Sequence, residues 1–218
     1  MSLVKFEGGT GYFVCEGPCI KGLVVVQEWW GLNQHMKDMA HRFAKEGLCV
    51  LVPDLYHGRF ATDKDEATHL FNNLDWTGAV KEIEAAAAFL KSKGVQQVGI
   101  TGFCMGGALT AAAAVLANGF TAAAPFYGIP PPTFCDLSKT KIPVQGHFGL
   151  QDTHEGFADP ETAQQYEKQL QNAGVEHEVL FYDADHAFMN ATRPEVFSQD
   201  NANLAFGRVV SFMDSKLG

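Results

Sequence analysis

Basic residues are scarce in this chain and do not cluster. Its 218 residues include 16 lysines and arginines against 25 aspartates and glutamates, which gives a formal net charge of −9. A protein that binds the phosphate backbone of a nucleic acid needs a basic face or stripe. We therefore expect no nucleic-acid partner. An anionic small molecule stays compatible with this composition, because one or two local cations would suffice to hold it.

Long apolar runs and targeting signals are also lacking. No stretch approaches the 18 consecutive apolar residues that predict a membrane span, and the alanine run at 85–88 is short and flanked by charge. The N-terminus shows no basic segment followed by an apolar one, so we expect no secretory signal. The sequence therefore predicts no membrane partner.

The cysteines lack the pattern of a disulfide framework or a metal site. Their number is odd and their spacing is irregular, which favours a reducing, cytoplasmic location. Cys15 and Cys19 form a CxxxC pair, which suits neither a zinc ribbon nor a redox CxxC motif. We expect no metal and no cofactor. The five cysteines are Cys15, Cys19, Cys49, Cys104 and Cys135.

What the chain does have is an alternation of strand and helix patterns, without a linker or a repeat. This predicts a single α/β domain over residues 1–218, with a mostly parallel sheet and helices on both faces. Chemistry in such sheets gathers at the carboxyl ends of the strands. Predicted strands lie at 22–27, 48–52, 95–101, 122–126, 142–148 and 178–182, after an edge hairpin formed by 4–6 and 11–14. Predicted helices follow the N-cap Asn33, cover 77–93 and 105–118, follow the N-cap Asp159, and cover 194–217.

The segment Gly102-Phe103-Cys104-Met105-Gly106 lies between a predicted strand and a predicted helix. Its pattern, Gly-x-nucleophile-x-Gly, predicts a sharp bend that exposes a nucleophile, with small residues letting strand and helix pack closely. A helix N-terminus favours the thiolate form of cysteine. The alternative is a structural role, since most cysteines are small buried hydrophobes. The context favours Cys104 as a nucleophile.

A cysteine nucleophile needs a base and a group that orients the base. Asp152 follows the strand predicted at 142–148, and His186 follows the strand predicted at 178–182. Nucleophile, acid and histidine thus occur in the order typical of α/β-hydrolases, each just beyond a strand. We predict a triad of Cys104, Asp152 and His186.

Neighbouring histidines and acids compete with these assignments. His147 lies within a predicted strand and is expected to point into the fold. His154 is too close in sequence to the predicted acid to be oriented by it easily. Asp183 and Asp185 are interpreted as solvated turn residues, and Asp159 as a helix cap.

The first long strand ends in Gln27-Glu28-Trp29-Trp30-Gly31. In α/β-hydrolases, the loop at this place donates one oxyanion N–H, and the residue after the nucleophile donates the other. The backbone N–H groups of Trp29 and Met105 are therefore the predicted oxyanion donors. Glu28 is unexpected in this position, because its charge opposes a developing oxyanion; a solvated loop acid is the alternative.

Together these motifs resemble the dienelactone hydrolase family, also called carboxymethylenebutenolidases, from about residue 22 to the terminal helix. The motifs are Gln27-Glu28-x-x-Gly31, Pro53-Asp54-Leu55-Tyr56 and Gly102-x-Cys104-x-Gly106-Gly107, followed by Asp152 and His186. The resemblance implies an α/β-hydrolase fold, a small ester or lactone substrate opened through a thioester, and a monomer, with a weak dimer as the alternative. It also implies that Glu28 interacts with the resting thiol and helps to deprotonate it when substrate binds.

One departure from the family concerns the substrate carboxylate, which dienelactone-cleaving members hold with two arginines. Four residues after the catalytic histidine this chain has Asn190, and Lys64 is the nearest match for the other arginine. A lysine attracts an anion without bidentate geometry. Arg193 is a candidate substitute, and Phe103 and Phe188 are candidate aromatic lining residues.

Three functions remain open on the sequence alone. The leading one is an ester or lactone hydrolase of the family above. A broad carboxylesterase or thioesterase would use the same triad, and the fold does not choose between them. A non-catalytic thiol sensor is the third possibility, although every predicted triad position is filled.

Overall fold

The framework of the molecule is one eight-stranded sheet with strand order β1-β2-β4-β3-β5-β6-β7-β8, seen in a computed structural model that describes residues 2–218. The strands are β1 (Ser2–Phe6), β2 (Gly9–Val14), β3 (Lys21–Val26), β4 (Cys49–Pro53), β5 (Gln97–Phe103), β6 (Ala122–Phe126), β7 (Val144–Gly149) and β8 (His177–Tyr182). The helices are α1 (Gln34–Lys45), α2 (Lys64–Asn72), α3 (Trp76–Ser92), α4 (Met105–Leu116), α5 (Pro160–Ala173) and α6 (Gln199–Leu217), with a 3₁₀ turn at Leu137–Lys139.

Strand direction divides the sheet into an antiparallel edge and a parallel body. β1 pairs with β2, and β2 pairs with β4, both in the antiparallel sense. The other pairings, along the sheet order β4-β3-β5-β6-β7-β8, are all parallel. β3 and β4 are almost entirely buried, as their β-branched composition predicts for strands covered on both faces. The predicted α/β class and the predicted edge hairpin are both confirmed.

Local capping chemistry fixes the helix starts. The Asn33 side chain accepts a hydrogen bond from the Met36 N–H at 3.1 Å, which caps α1. Asp159 caps α5 by accepting from the Thr162 N–H, and Pro160 occupies the first helical position, where no N–H is required. Both N-caps agree with the sequence prediction.

The terminal helix starts later than its sequence pattern predicts. α6 begins at Gln199 rather than at 194. The preceding residues form turns: the N–H of Phe197 donates to the Arg193 carbonyl, and the N–H of Ser198 donates to the Phe188 carbonyl, 3.2 Å away. These bonds hold the segment after β8 against the site edge of the sheet, so a helix from 194 is wrong.

The parallel body of the sheet positions the site. Because β3, β5, β7 and β8 run in the same direction, the loops that follow them meet at one edge. α4 packs behind this edge and is buried along nearly its whole length, which explains its uniformly apolar and small side chains. No helix within residues 2–218 has the length and hydropathy of a membrane span.

Candidate active site

Cys104 occupies the bend between β5 and α4, with a backbone φ of +55° and ψ of −116°. A positive φ in a residue other than glycine costs about 1–3 kcal/mol and persists only where the surroundings impose it. Here they do so by close packing. A Cβ added at Gly102 would overlap the Gly106 carbonyl, and one added at Gly106 would overlap the Val26 carbonyl of β3. The glycines on either side of the cysteine therefore permit the bend, as predicted.

The neighbouring strand β6 holds the other side of the bend. The Cys104 N–H donates to the Phe126 carbonyl at 3.1 Å. A Cβ at Gly107 would overlap the same carbonyl, and a Cβ at Gly128 would overlap the Cys104 carbonyl. Backbone from two strands thus encloses the main chain around Cys104.

Asp152 and His186 are joined by a short hydrogen bond. The His186 Nδ1–H donates to Asp152 Oδ2 at 2.6 Å, and Asp152 is only 4% exposed. Burial alone would raise the pKa of this carboxyl, but hydrogen bonds from His186 and His154 outweigh it and lower the pKa below its usual value. The ring of Tyr127 packs edge-on against His186, with centroids 5.1 Å apart. The imidazole therefore has a fixed orientation.

A second histidine binds the same carboxylate. The His154 Nδ1–H donates to Asp152 Oδ1 at 2.7 Å, and the His154 backbone N–H donates to the same oxygen at 3.0 Å. The expectation that His154 lies too close in sequence to be oriented by Asp152 is wrong, because the turn at Thr153 folds the chain back onto the carboxylate. The two imidazole rings lie 4.2 Å apart, and His154 is the more exposed of the two.

The competing histidine His147 and the nearby acids take the structural places predicted for them. His147 lies within β7, is fully buried and is hydrogen-bonded to the Tyr182 hydroxyl at 2.8 Å. Burial lowers its pKa to about 3, so the ring is neutral. Asp183 and Asp185 are exposed, and Asp159 caps α5.

Glu28 is buried rather than solvated. It is 2% exposed, and burial raises its pKa from 4.5 to about 7, against the lowering effects of the Asn190 hydrogen bond, the Arg193 charge and the Tyr127 hydroxyl. Its Oε2 accepts a hydrogen bond from Asn190 Nδ2 at 2.6 Å. Its Oε1 has no hydrogen-bond partner among residues 2–218. One carboxylate oxygen is thus held, and the other is available to accept a proton.

Asn190 is a site residue that sequence reasoning registered only as a missing arginine. Its side-chain oxygen accepts hydrogen bonds from the Thr192 N–H at 3.0 Å and from the Thr192 hydroxyl at 2.6 Å. With the oxygen engaged, the amide NH₂ must face Glu28, and the side chain is 1% exposed. Asn190 therefore orients Glu28 without carrying a charge, and no motif in the sequence signals this pairing.

The resting thiol of Cys104 is protonated at neutral pH. Burial raises its pKa well above the usual value, and the charge of Glu28 raises it further, whereas a hydrogen bond from the Met105 N–H lowers it. The N-terminal N–H does act in the predicted direction, but desolvation and the neighbouring carboxylate act more strongly.

A cavity of about 270 Å³ opens beside His186. Its lining includes Trp29 and two cationic side chains, Lys64 from the first turn of α2 and Arg193 from the turn before α6. Arg193 Nε also donates to Glu195 Oε1 at 3.0 Å. The other lining residues are Gln151, Thr153, His154, Asp185 and Val196.

Two predicted lining residues lie elsewhere. Phe103 and Phe188 are 1% and 0% exposed, and both pack in the core against Phe126 and Tyr127. The expectation that they contact substrate is corrected, because both rings are buried among core aromatics and neither lines the cavity beside His186.

Groups able to ligate a metal occur in two places in the described residues. Asp152, His154 and His186 each offer a ligand atom within 4.8 Å of the others, and so do three cysteines at the opposite end of the sheet. In the first group, both imidazoles direct Nδ1–H to the carboxylate, so the atoms already satisfy one another by hydrogen bonding.

The fold and the site together define the class of this protein. A cysteine on a strand–helix bend, with an acid and a histidine beyond later strands of a mostly parallel sheet, is the arrangement of the α/β-hydrolases.

Comparison with known proteins narrows this class. Residues 11–217 match the model of the dienelactone hydrolase family. Protein usf of Aquifex pyrophilus is 32% identical over 209 residues, covering 90% of this chain and 88% of its own. An Aquifex aeolicus protein provisionally named a carboxymethylenebutenolidase is 30% identical over 226 residues, covering 98% and 95%. A dienelactone hydrolase-like promiscuous phosphotriesterase from metagenomic libraries shares the fold, with a TM-score of 0.89 at 21% identity over 100% of this chain and 98% of its own.

The chain therefore belongs to the dienelactone hydrolase family. It is an enzyme that hydrolyses esters or lactones.

Proposed function

We propose that this hydrolase cleaves a small ester or lactone through a covalent thioester on Cys104. The Cys104 sulfur attacks the carbonyl carbon, the ester C–O bond breaks, and the leaving oxygen takes up a proton. Water then attacks the thioester, which releases the acid and returns the thiol. The observation that carries this proposal is the positive-φ bend that holds Cys104 at the same sheet edge as Asp152 and His186, which are joined by a 2.6 Å hydrogen bond.

Glu28 is the group proposed to take the thiol proton. A base works best near neutral pH when its own pKa is near 7, as burial makes the pKa of Glu28. Its Oε1 is unpartnered among the described residues, while Asn190 holds Oε2. In the absence of substrate the thiol stays protonated, and a protonated thiol is oxidised less readily than a thiolate.

His186 and Asp152 are proposed to serve the second half of the reaction. Asp152 fixes the imidazole by accepting from Nδ1–H at 2.6 Å, which leaves Nε2 as the basic nitrogen. That nitrogen would activate the water that attacks the thioester. The lowered pKa of Asp152 keeps it ionised, so that it also stabilises the imidazolium that forms.

The backbone N–H groups of Met105 and Trp29 are proposed to hold the oxyanion. Met105 opens α4, and its N–H already interacts with the Cys104 sulfur. Trp29 follows β3 at the same edge of the sheet and lines the cavity. Two N–H donors from these places would stabilise charge that develops only in the transition state.

The proposed substrate is small and anionic. The cavity beside His186 has a volume of about 270 Å³, and Lys64 and Arg193 both line it. Two cations at one mouth attract a carboxylate, although a lysine lacks the bidentate geometry of an arginine. We also propose a monomer in a reducing cytoplasm, where a thiol nucleophile stays reduced.

The test is acyl-enzyme trapping with variants of two cysteines. Rapid acid quench during turnover of an aryl ester should add the acyl mass to the peptide that contains Cys104, and Cys104→Ala should remove both adduct and turnover. Cys135→Ala is the matched control, because this thiol is likewise free of any disulfide in the described chain. Residual activity above about one per cent in Cys104→Ala would overturn the nucleophile assignment.

Substrate class is tested by comparing anionic with neutral esters. Arg193→Met and Lys64→Met should raise KM for dienelactone and other carboxylate-bearing substrates, and leave KM for a neutral aryl ester nearly unchanged. Equal effects on both substrates would contradict the proposed carboxylate contact. Turnover of neutral esters far above that of dienelactone would instead identify a broad carboxylesterase.

A further inference from the structure

Three cysteines that are distant in the sequence converge at one point of the fold. Cys15 directly follows β2, Cys19 lies just before β3, and Cys49 opens β4. The Cα atom of Cys49 lies 4.3 Å from that of Cys15 and 5.5 Å from that of Cys19. All three sulfur atoms lie within 4.8 Å of one another.

Backbone pairing and a tight turn produce this convergence. The antiparallel register of β2 with β4 pairs Val14 with Val50, which places the next residue, Cys15, opposite Cys49. Gly17 then adopts a φ of +116°, a conformation that favours glycine, and the turn returns the chain to Cys19. The strand register thus fixes Cys15 against Cys49, and Cys19 lies in the loop that joins β2 to β3.

The cluster lies at the opposite end of the sheet from the catalytic groups. Cys49 is the first residue of β4, a parallel partner of β3, whereas Glu28, Cys104 and His186 follow the carboxyl ends of their strands. The three thiols are therefore independent of the proposed hydrolysis. Cys49 is fully buried, while Cys15 and Cys19 are partly exposed, which gives a ligand access to the sulfur atoms.

Simple valence excludes a static pair of disulfides. The Cys49 sulfur adjoins both the Cys15 and the Cys19 sulfur. A cysteine sulfur forms one S–S bond, so a disulfide would always leave the third thiol beside it. A single ion bound to three thiolates engages all of them at once.

We propose that Cys15, Cys19 and Cys49 form a binding site for a thiophilic d¹⁰ metal ion, specifically Cu(I). Thiolates are soft ligands that select Cu(I) and zinc. Structural zinc sites take four protein ligands, and the cluster offers three, with no fourth histidine, cysteine or carboxylate grouped with them in the described residues. A three-thiolate set suits the lower coordination number of Cu(I). Binding one ion releases three thiol protons, so affinity rises with pH.

The test is Cu(I) competition on the full-length, reduced protein under anaerobic conditions. Cu(I) supplied as its acetonitrile complex should transfer to the protein from bathocuproine disulfonate until one equivalent is bound. Cys15→Ser and Cys19→Ser should each weaken binding more than tenfold, since losing a ligand exceeds the roughly 10–100-fold effect of losing an outer-shell partner. Cys135→Ser and Cys104→Ser should retain the one-equivalent site.

Three results would overturn the proposal. The first is no transfer from the competitor at any pH between 6 and 8. The second is unchanged binding in both Cys15→Ser and Cys19→Ser, whose partly exposed positions keep these variants folded, as circular dichroism would verify. The third is a disulfide only: air oxidation removes two hydrogens from the cluster, as peptide mass mapping would show, while the reduced form takes up no Cu(I). Zn²⁺ binding with higher competitive affinity than Cu(I) would likewise refute the choice of ion.

Discussion

Replacing Glu28 by glutamine should make the protein more stable and less active, by an amount set by pH. In the folded chain the pKa of Glu28 is raised by burial from 4.5 to about 7. Each pKa unit corresponds to about 1.4 kcal/mol, so holding the ionised form in the folded state costs about 3 kcal/mol. Glutamine has the same shape without the charge, and its oxygen can accept the Asn190 hydrogen bond.

The sign of the pH dependence follows from proton binding. Below pH 4.5 the carboxyl is protonated in both states and adds no cost. Between pH 4.5 and 7 the folded state binds more protons than the unfolded state, so the free energy of unfolding falls as pH rises. Above pH 7 the full cost is present. The gain in the free energy of unfolding of Glu28→Gln over the parent should therefore be about 3 kcal/mol larger at pH 8 than at pH 4.5. This corresponds to about 6–12 °C in Tm for a domain of this size.

Urea unfolding at several pH values, followed by circular dichroism, measures this difference. Glu7→Gln, which removes one carboxylate from the exposed surface, is the matched control, and its effect on the free energy of unfolding should be small. Hydrolysis of an aryl ester by Glu28→Gln should fall in kcat over the same range. A stability difference equal at pH 4.5 and pH 8, or a variant less stable than the parent at pH 8, would refute the reasoning.

Three further changes test the remaining geometry. Asn190→Leu removes the hydrogen bond that lowers the pKa of Glu28, so the acidic limb of the kcat/KM profile should move to higher pH; an unmoved limb would contradict this role. His154→Gln should keep most of the activity, because it frees Asp152 Oδ1 and leaves the Oδ2 bond intact; a loss as large as that of His186→Gln would identify His154 as the base. Gly107→Ala should cost at least about 1–3 kcal/mol in urea unfolding, since its Cβ overlaps the Phe126 carbonyl, whereas Gly207→Ala in the open face of α6 should stabilise by about 0.5–1 kcal/mol; equal effects would contradict the packing argument.

Local signals made most of the fold predictable from the sequence. Strand runs, N-caps and the glycines around Cys104 each depend on residues within a few positions of one another. Asn33 and Asp159 cap the helices that they were expected to cap. The end of each strand also located Asp152 and His186, because the loops after parallel strands meet at one edge.

Contacts between distant segments were not predictable in this way. The sequence shows Asn190 only as a position where the resemblance implies an arginine. Its 2.6 Å hydrogen bond to Glu28 joins residues that are 162 positions apart, and no local pattern predicts it. Cys49 joins Cys15 and Cys19 only through the register of an antiparallel strand pair. The pKa of Cys104 is raised by burial and by the neighbouring Glu28 carboxylate. Neither effect can be inferred from the sequence motif around the cysteine.

Four glycines surround the main chain of Cys104, and none of them has room for a side chain. A methyl group at 102, 106, 107 or 128 would collide with backbone atoms. Because the colliding atoms belong to backbone and not to the ends of flexible side chains, the main chain around the bend has little room to adjust. A substitution at any of these four glycines is therefore expected to displace the nucleophile as well as to destabilise the fold.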